Sequence, residues 1–344
     1  MNRLLTAIAF VCTSLSCSGV TGPESIKSVR DYTWEVSDLA TSYVTQPVMW
    51  SIWGSSADNV YACGTSPVFP MGTLYRYDGK SWYPFTVPLG DHVYYELRGI
   101  TGFAPNDIWV VGGRLYSGPQ AVDSALILHF DGSKWTSVLP SHMGVAGLRR
   151  IYALSPRDIY CGSSRGQIMH FNGTTWTSTL LYPGLSINAI GGDRDRLFVS
   201  GNTWKGTRDD SVLTFAKSSE SWLLVNVRDW SSIITAIHSV ARGQYYATIS
   251  NGLFRWDAGQ WWCLMSEDSE VNAIVSSGPN DILIAGSGRS GPAAYHFDGI
   301  SWAEIKLPAV PSRTFLSAVS AWSDGSQIFI LCNDGEDSFV MHGK

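Results

Sequence analysis

Arg98 and Arg149 stand at the same point of two neighbouring repeats, LRGI at Leu97 to Ile100 and LRRI at Leu148 to Ile151. Guanidinium groups from adjacent repeats could hold an anion or a carboxylate through paired hydrogen bonds. They could equally bond water and nearby loop carbonyls. The matching positions elsewhere read Trp50, Asn188, Thr235, Asn272 and Ser317, so six of the seven are polar. The residues that follow (Ser51, Gly99, Ala189, Ala236, Ala273 and Ala318) are small and permit close approach of one repeat to the next. A second group of candidates is aromatic. Tyr94, Tyr95, Tyr116, Trp204 and Trp230 fall in the longer links, with Arg114, Arg208 and Arg289 nearby. Aromatic faces beside Arg and Asp suit sugars or peptides, by stacking and bidentate hydrogen bonds. The same rings could instead pin those links to the body of the protein.

Catalytic chemistry has less support. Glycoside hydrolysis needs two carboxylates roughly 5–10 Å apart. The links offer Asp91, Asp123, Asp209, Asp210, Glu267 and Asp268, but no spacing singles out a pair. Asp78, Asp131 and Asp298 recur inside a turn motif, and Asp107, Asp158 and Asp281 recur at the start of a strand, which implies turn bonding for both sets. No GxSxG, HExxH or phosphate-binding loop is present. The expectation is a protein that is not an enzyme and needs no cofactor.

His129, His170 and His296 each precede the aromatic residue of the turn motif. Ligands to a metal must converge within about 2.1 Å of one ion. Equivalent sites in separate repeats point in separate directions, so no metal site is expected. The sequence holds six cysteines. Cys12 and Cys17 lie in the leader, and Cys63, Cys161, Cys263 and Cys332 lie in different repeats, too far apart in such an arrangement for the short Cα spacing of a disulfide. These four are expected to be buried thiols.

The element that must position all of these is the motif YDGKSW (Tyr77 to Trp82), FDGSKW (Phe130 to Trp135), FNGTTW (Phe171 to Trp176) and FDGISW (Phe297 to Trp302), with worn copies at Phe215 to Trp222 and Trp256 to Trp262. Asp-Gly or Asn-Gly between two apolar runs is a strong hairpin signal. Gly supplies the positive φ, which Asp and Asn tolerate. Upstream of each copy lies a second pattern, as in LRGITGFAPNDIWVVG (Leu97 to Gly112). It reads as strand, Pro/Asn/Asp turn, strand. Together they make four strands per unit. Trp82, Trp135, Trp176, Trp222, Trp262 and Trp302 are 53, 41, 46, 40 and 40 residues apart. That period with four strands is the signature of a β-propeller blade.

Six units read as 48–88, 97–140, 148–182, 187–228, 233–267 and 271–308. The seventh begins at Leu316 and lacks its last strand, while DYTWEV (Asp31 to Val36) resembles that strand standing alone near the other end. The fold expected is all-β: one seven-bladed propeller of four-stranded antiparallel blades over 27–344, its last blade closed by the N-terminal strand. Unit by unit, the chain resembles bacterial secreted propellers of the kelch-like and photosystem-assembly-factor-like kind. The resemblance implies the fold and no particular activity. The kelch double glycine occurs cleanly once, at Gly112-Gly113, and the Trp-Asp ending of WD repeats is absent. The sialidase Asp-box has a residue between Asp and Gly, whereas here the two are adjacent.

Residues 1–16 read as a secretory signal, with Arg3 ahead of an apolar Leu4 to Val11. Ser14-Leu15-Ser16-Cys17 resembles a loose bacterial lipobox, in which Cys17 would be acylated and 17–26 would form a tether. Lipid chains on Cys17 would hold the protein on a membrane at roughly 0.8 kcal/mol per buried CH₂. The net charge is −5 and there is no basic stripe, which argues against nucleic acid. The reading that follows is a monomeric, membrane-anchored envelope lipoprotein, facing the periplasm or in the outer membrane. Its propeller would be a non-catalytic binding or scaffold module for an envelope protein or glycan, working through its long-loop face. The alternative is a secreted glycan-binding or glycan-active propeller.

Overall fold

The computed structural model describes residues 28–344, apart from 42–43, 45, 67–72, 88, 90–93, 116–123, 139–142, 204–210, 219–220, 230–232, 250–251, 267–269, 289–290 and 311–316. The chain forms seven antiparallel sheets of four strands, six of them ordered as in the sequence from the innermost strand outward. Blade 1 begins at Val48, and blades 2 to 7 follow at Tyr94, Leu148, Leu185, Ile234, Glu270 and Ser317. Among the described residues the sole helical element is one 3-10 turn, Val29–Asp31.

The last blade is completed from the other end of the chain. Trp34–Asp38 pairs antiparallel with Ser338–Gly343, Trp34 opposite Gly343. A Cβ on Gly343 would lie within 3.0 Å of the Trp34 ring, so this glycine is the seat of the closing tryptophan. Arg30 extends the closure to blade 6, with an ion pair to Asp298 at 2.8 Å and a hydrogen bond to the Ser301 carbonyl at 2.8 Å.

The hydrophobic core is distributed around the ring. Seven buried clusters occur, one at each seam between neighbouring blades. Strands rich in Val, Ile, Leu and aromatics bury both faces, one against each neighbour, as the runs Val60 to Cys63 and Phe329 to Cys332 do. The motif tryptophans pair with the aromatic across the outer hairpin: Phe130 with Trp135 and Phe171 with Trp176, each at 5.1 Å between ring centres.

The turn between those residues differs from the expectation in one respect. Among the described residues no Asp takes a left-handed conformation; in the Asp-Gly turns the Gly does, with φ of 91° at Gly132. Asp131 acts through its side chain, whose Oδ1 accepts the backbone N–H groups of Ser133 and Lys134 at 2.9 Å each. A Cβ on Gly132 would sit 2.6 Å from the Cβ of Asn106, so the glycine also lets the outer turn rest on the inner turn of its blade. Blade 5 uses a two-residue turn instead, with Ala258 (φ 49°) and Gly259 (φ 84°). There the ring opposite Trp256 is Trp261, which is buried, and not Trp262, which is 51% exposed. The motif's tryptophan in that blade is therefore one residue earlier than the spacing suggested.

Three thiols, Cys63, Cys161 and Cys332, are buried, and none of the four described cysteines is in a disulfide. Cys263 departs from the expectation and is exposed, because it lies on Gln260–Ser266, the outermost strand of blade 5.

Candidate functional site: the channel wall

Every innermost strand carries a bulge at the same place. Pairing with the second strand skips Trp50, Arg98, Arg149, Asn188, Thr235 and Asn272 in blades 1 to 6. In blade 7 the skipped residue is Val319, not Ser317. The alignment on small residues slipped there: Ala318 is fully buried like Met49 and Leu97, and Ser320 is the true counterpart of Ser51. The ring thus has five polar members. A bulge bends its strand and re-aims the extra side chain, which is how a period-2 strand presents an additional group toward the axis.

The serines beyond the bulge stitch one blade to the next. Ser51 Oγ accepts the N–H of Ile100 at 3.4 Å, and Ser320 Oγ accepts that of Ile52 at 3.3 Å. In blade 3 this small position is occupied by Arg150. Its Nε donates to the Asn188 carbonyl of blade 4 at 2.6 Å and its Nη1 to the Arg149 carbonyl at 2.9 Å. Burial, followed by repulsion from Arg149 and Arg98, pulls its pKa down from 12.5 to about 10. Sequence reasoning passed over Arg150, although its signal was present: it alone breaks the run of small residues at that position.

These residues surround a cavity of about 150 Å³ in the channel. Trp50, Arg98 and Arg150 come from blades 1 to 3; the lining from blades 4 to 7 includes Thr235, Asn272, Ile190, Ile237, Ile274 and Val319. The Arg98 guanidinium lies 4.4 Å over the Trp50 ring and donates to Glu96 Oε2 at 2.7 Å. Its Nε and the Trp50 Nε1 are buried and have no acceptor. Of the two expected arginines, Arg98 lines the cavity and Arg149 does not; Arg150 takes that place.

Tyr95 is not available to a ligand. It is 1% exposed and donates its hydroxyl to the Val87 carbonyl at 2.6 Å, and burial pushes its pKa up to about 12. It pins the link ahead of blade 2, since a buried phenol must find an acceptor. Tyr94 begins the strand Tyr94–Ala104. Cys17, Tyr116, Trp204 and Trp230 lie outside the described residues, as do the loop acids Asp91, Asp123, Asp209, Asp210, Glu267 and Asp268.

The three repeat histidines each meet an acid of their own blade. His129 bonds Asp107 at 2.9 Å, His170 bonds Asp158 at 2.8 Å and His296 bonds Asp281 at 2.6 Å. Those aspartates clasp the third strand to the second; Asp281 also bonds its own turn as expected, its second oxygen accepting from Ser277 Oγ. Among the described residues no group of three His, Cys, Asp or Glu converges as metal ligands would. A wider groove of about 430 Å³ lies between blades 3 and 4, but its polar centre is the satisfied pair His170–Asp158, with Tyr160 stacked 4.3 Å from His170.

No protein-family model matches the sequence, and no curated protein does. Solved structures do match in fold. Ycf48 bound to a D1 peptide superposes with a TM-score of 0.63 at 18% identity, over 92% of this chain and 99% of that one. Ycf48 from Cyanidioschyzon merolae follows at 0.60 and 17%, over 89% and 98%. The WD40 propeller domain of Doa1 aligns at 0.59 and 11%, over 90% and 97%. At these identities the likeness is one of fold: a seven-bladed propeller.

Proposed function

We propose that this protein is a non-catalytic binding module of the bacterial envelope, held to a membrane by acylated Cys17, that captures a protein partner on the face where the innermost strands begin. The carrying observation is the contrast between the two faces. One is closed by tight turns, such as the two residues between Ser56 and Asn59. The other receives the long connections, such as the eight residues between Leu115 and Ser124, and opens on the bulge ring with Trp50 and Arg98. Loops on a rigid scaffold are the usual seat of recognition. Ycf48, a propeller of the same architecture, has been solved bound to a D1 peptide, which supports capture of a protein segment.

A photo-crosslinking residue at exposed Glu270, on the long-connection face, should give a discrete protein adduct in cells, whereas one at Lys80, on the turn face, should not. Equal labelling from both positions would remove the proposed face. Fractionation tests the anchor separately: membrane retention should be lost in Cys17→Ala. Release of the native protein as soluble would instead favour the secreted reading.

A further inference from the structure

The lining of the channel cavity is unbalanced in a specific way. Its neutral polar groups are engaged within the ring: Ser51 and Ser320 accept backbone N–H groups, Thr235 donates to the Val271 carbonyl at 2.9 Å, and Asn272 donates to Ser317 Oγ at 3.1 Å. What remains unmatched on the lining residues is donors. Trp50 Nε1 and Arg98 Nε are buried with no acceptor. Arg150 commits Nε and one Nη1 hydrogen to backbone carbonyls and, among the described residues, forms no ion pair with a carboxylate. Glu96, which reaches the neighbouring Arg98, is held by it at 2.7 Å. A guanidinium held partly out of water without a counter-charge is costly, and such a charge is normally paired with an anion.

We propose that this cavity is a receptor site for a small organic acid, its carboxylate received by Arg150, Arg98 and Trp50. Guanidinium groups receive a carboxylate through charge-assisted, directional bonds. The lining from blades 4 to 6, with Ile190, Ile237 and Ile274, offers hydrocarbon, which matches a short aliphatic body better than a bare inorganic oxyanion. Size sets the limit. A space of about 150 Å³ falls below the roughly 300–1,000 Å³ of sites for drug-sized ligands and suits a small acid. The inference concerns the purified propeller alone and stands whether or not a protein partner docks on the face above.

Calorimetric titration of the full chain with succinate, its diamide and inorganic phosphate tests this. Succinate should bind one to one, the uncharged diamide should not bind, and phosphate should bind more weakly than succinate. Arg150→Met should weaken succinate binding by roughly 10–100-fold, the expectation for losing a charge-assisted hydrogen bond. Without ligand, its thermal midpoint should equal or exceed that of the native protein, because the change also removes a half-buried charge that has no ion pair among the described residues. Should Arg150→Met fail to fold, Arg98→Gln must show the loss of binding. Three outcomes would overturn the site: no binding of succinate by the native protein, undiminished binding in a folded arginine variant, or phosphate binding as tight as succinate.

Discussion

Between blades 3 and 4 the inner ring is stitched by Arg150 and Tyr152; between blades 5 and 6 it is stitched by Thr235 and His238. The backbone is the same in both places. Counted from the bulge, Tyr152 and His238 hold equivalent positions, and each reaches a residue four places beyond the bulge of the next blade. Tyr152 donates to the Gly192 carbonyl at 2.5 Å, and His238 Nε2 meets Ser276 Oγ at 2.9 Å. Two other seams fill this slot with indole. A Cβ on Gly102 would lie 2.6 Å from the Trp53 ring, and one on Gly54 would lie 2.8 Å from that of Trp322. The slot thus takes a large ring only where the neighbour is small. The repeat fixes the reach, and each seam chooses its own chemistry: the seam of blades 3 and 4 carries a permanent cation into the channel, and that of blades 5 and 6 carries a neutral chain of hydroxyls and one titratable imidazole.

Acid should separate the two seams most strongly. Burial pulls the His238 pKa from 6.5 down to about 4. Between those values the unfolded chain binds a proton that the folded one refuses. The stability this group contributes is therefore fully present above pH 6.5 and is lost as pH falls through about 4. The shift corresponds to about 3 kcal/mol. Urea denaturation across that window should show the decline in the native protein and a flatter profile in His238→Gln. Arg150→Met, at the other seam, should keep the native slope. If it flattened the profile as much as His238→Gln, the two seams would not be electrostatically distinct.

A smaller effect tests the neutral stitch. Thr235 Oγ1 lies 2.8 Å from Thr248 Oγ1 and 2.9 Å from the Val271 carbonyl, a relay that crosses from blade 5 to blade 6. Thr248 is fully buried. Thr235→Val preserves shape and leaves the Thr248 hydroxyl without that partner, at a cost of about 1–2 kcal/mol by chemical denaturation at neutral pH. An unchanged midpoint would mean that apolar packing alone holds this seam.

The ring was legible in the sequence because hairpin turns, aromatic pairs and apolar strands recur at a fixed period. The closing strand was legible too, since Trp34 repeated half a hairpin and the far end lacked it. The site was legible only in part. Arg98 was found through its place in the repeat, but Arg150 was not, because small neighbours in the other blades made that position read as packing. Ser317 was misplaced for a related reason: a bulge shifts register by one residue and leaves no trace in composition, so an alanine on either side of it looks alike. Tyr95 shows the reverse error. A tyrosine in a link reads as a platform for ligands, yet the same ring with a carbonyl in reach serves to fasten the link.

The finest test of the comparison is Tyr152→Phe. The phenol is held above its ordinary pKa by burial, and its hydroxyl donates to Gly192. Removing the oxygen deletes one neutral hydrogen bond and keeps the ring in its slot, so the loss should be about 1 kcal/mol. The effect should be the same at pH 5 and pH 8, since neither Tyr152 nor the glycine carbonyl titrates there. That constancy matters more than the size of the loss. If the slot's geometry alone set seam strength, Tyr152→Phe and His238→Gln would respond alike to acid, because both side chains occupy one position of one repeat. A pH-independent loss at Tyr152 beside a pH-dependent one at His238 would show that the propeller repeats its backbone while varying the chemistry of each seam, the same freedom that lets blade 3 place an arginine where the other blades keep serine, glycine or alanine.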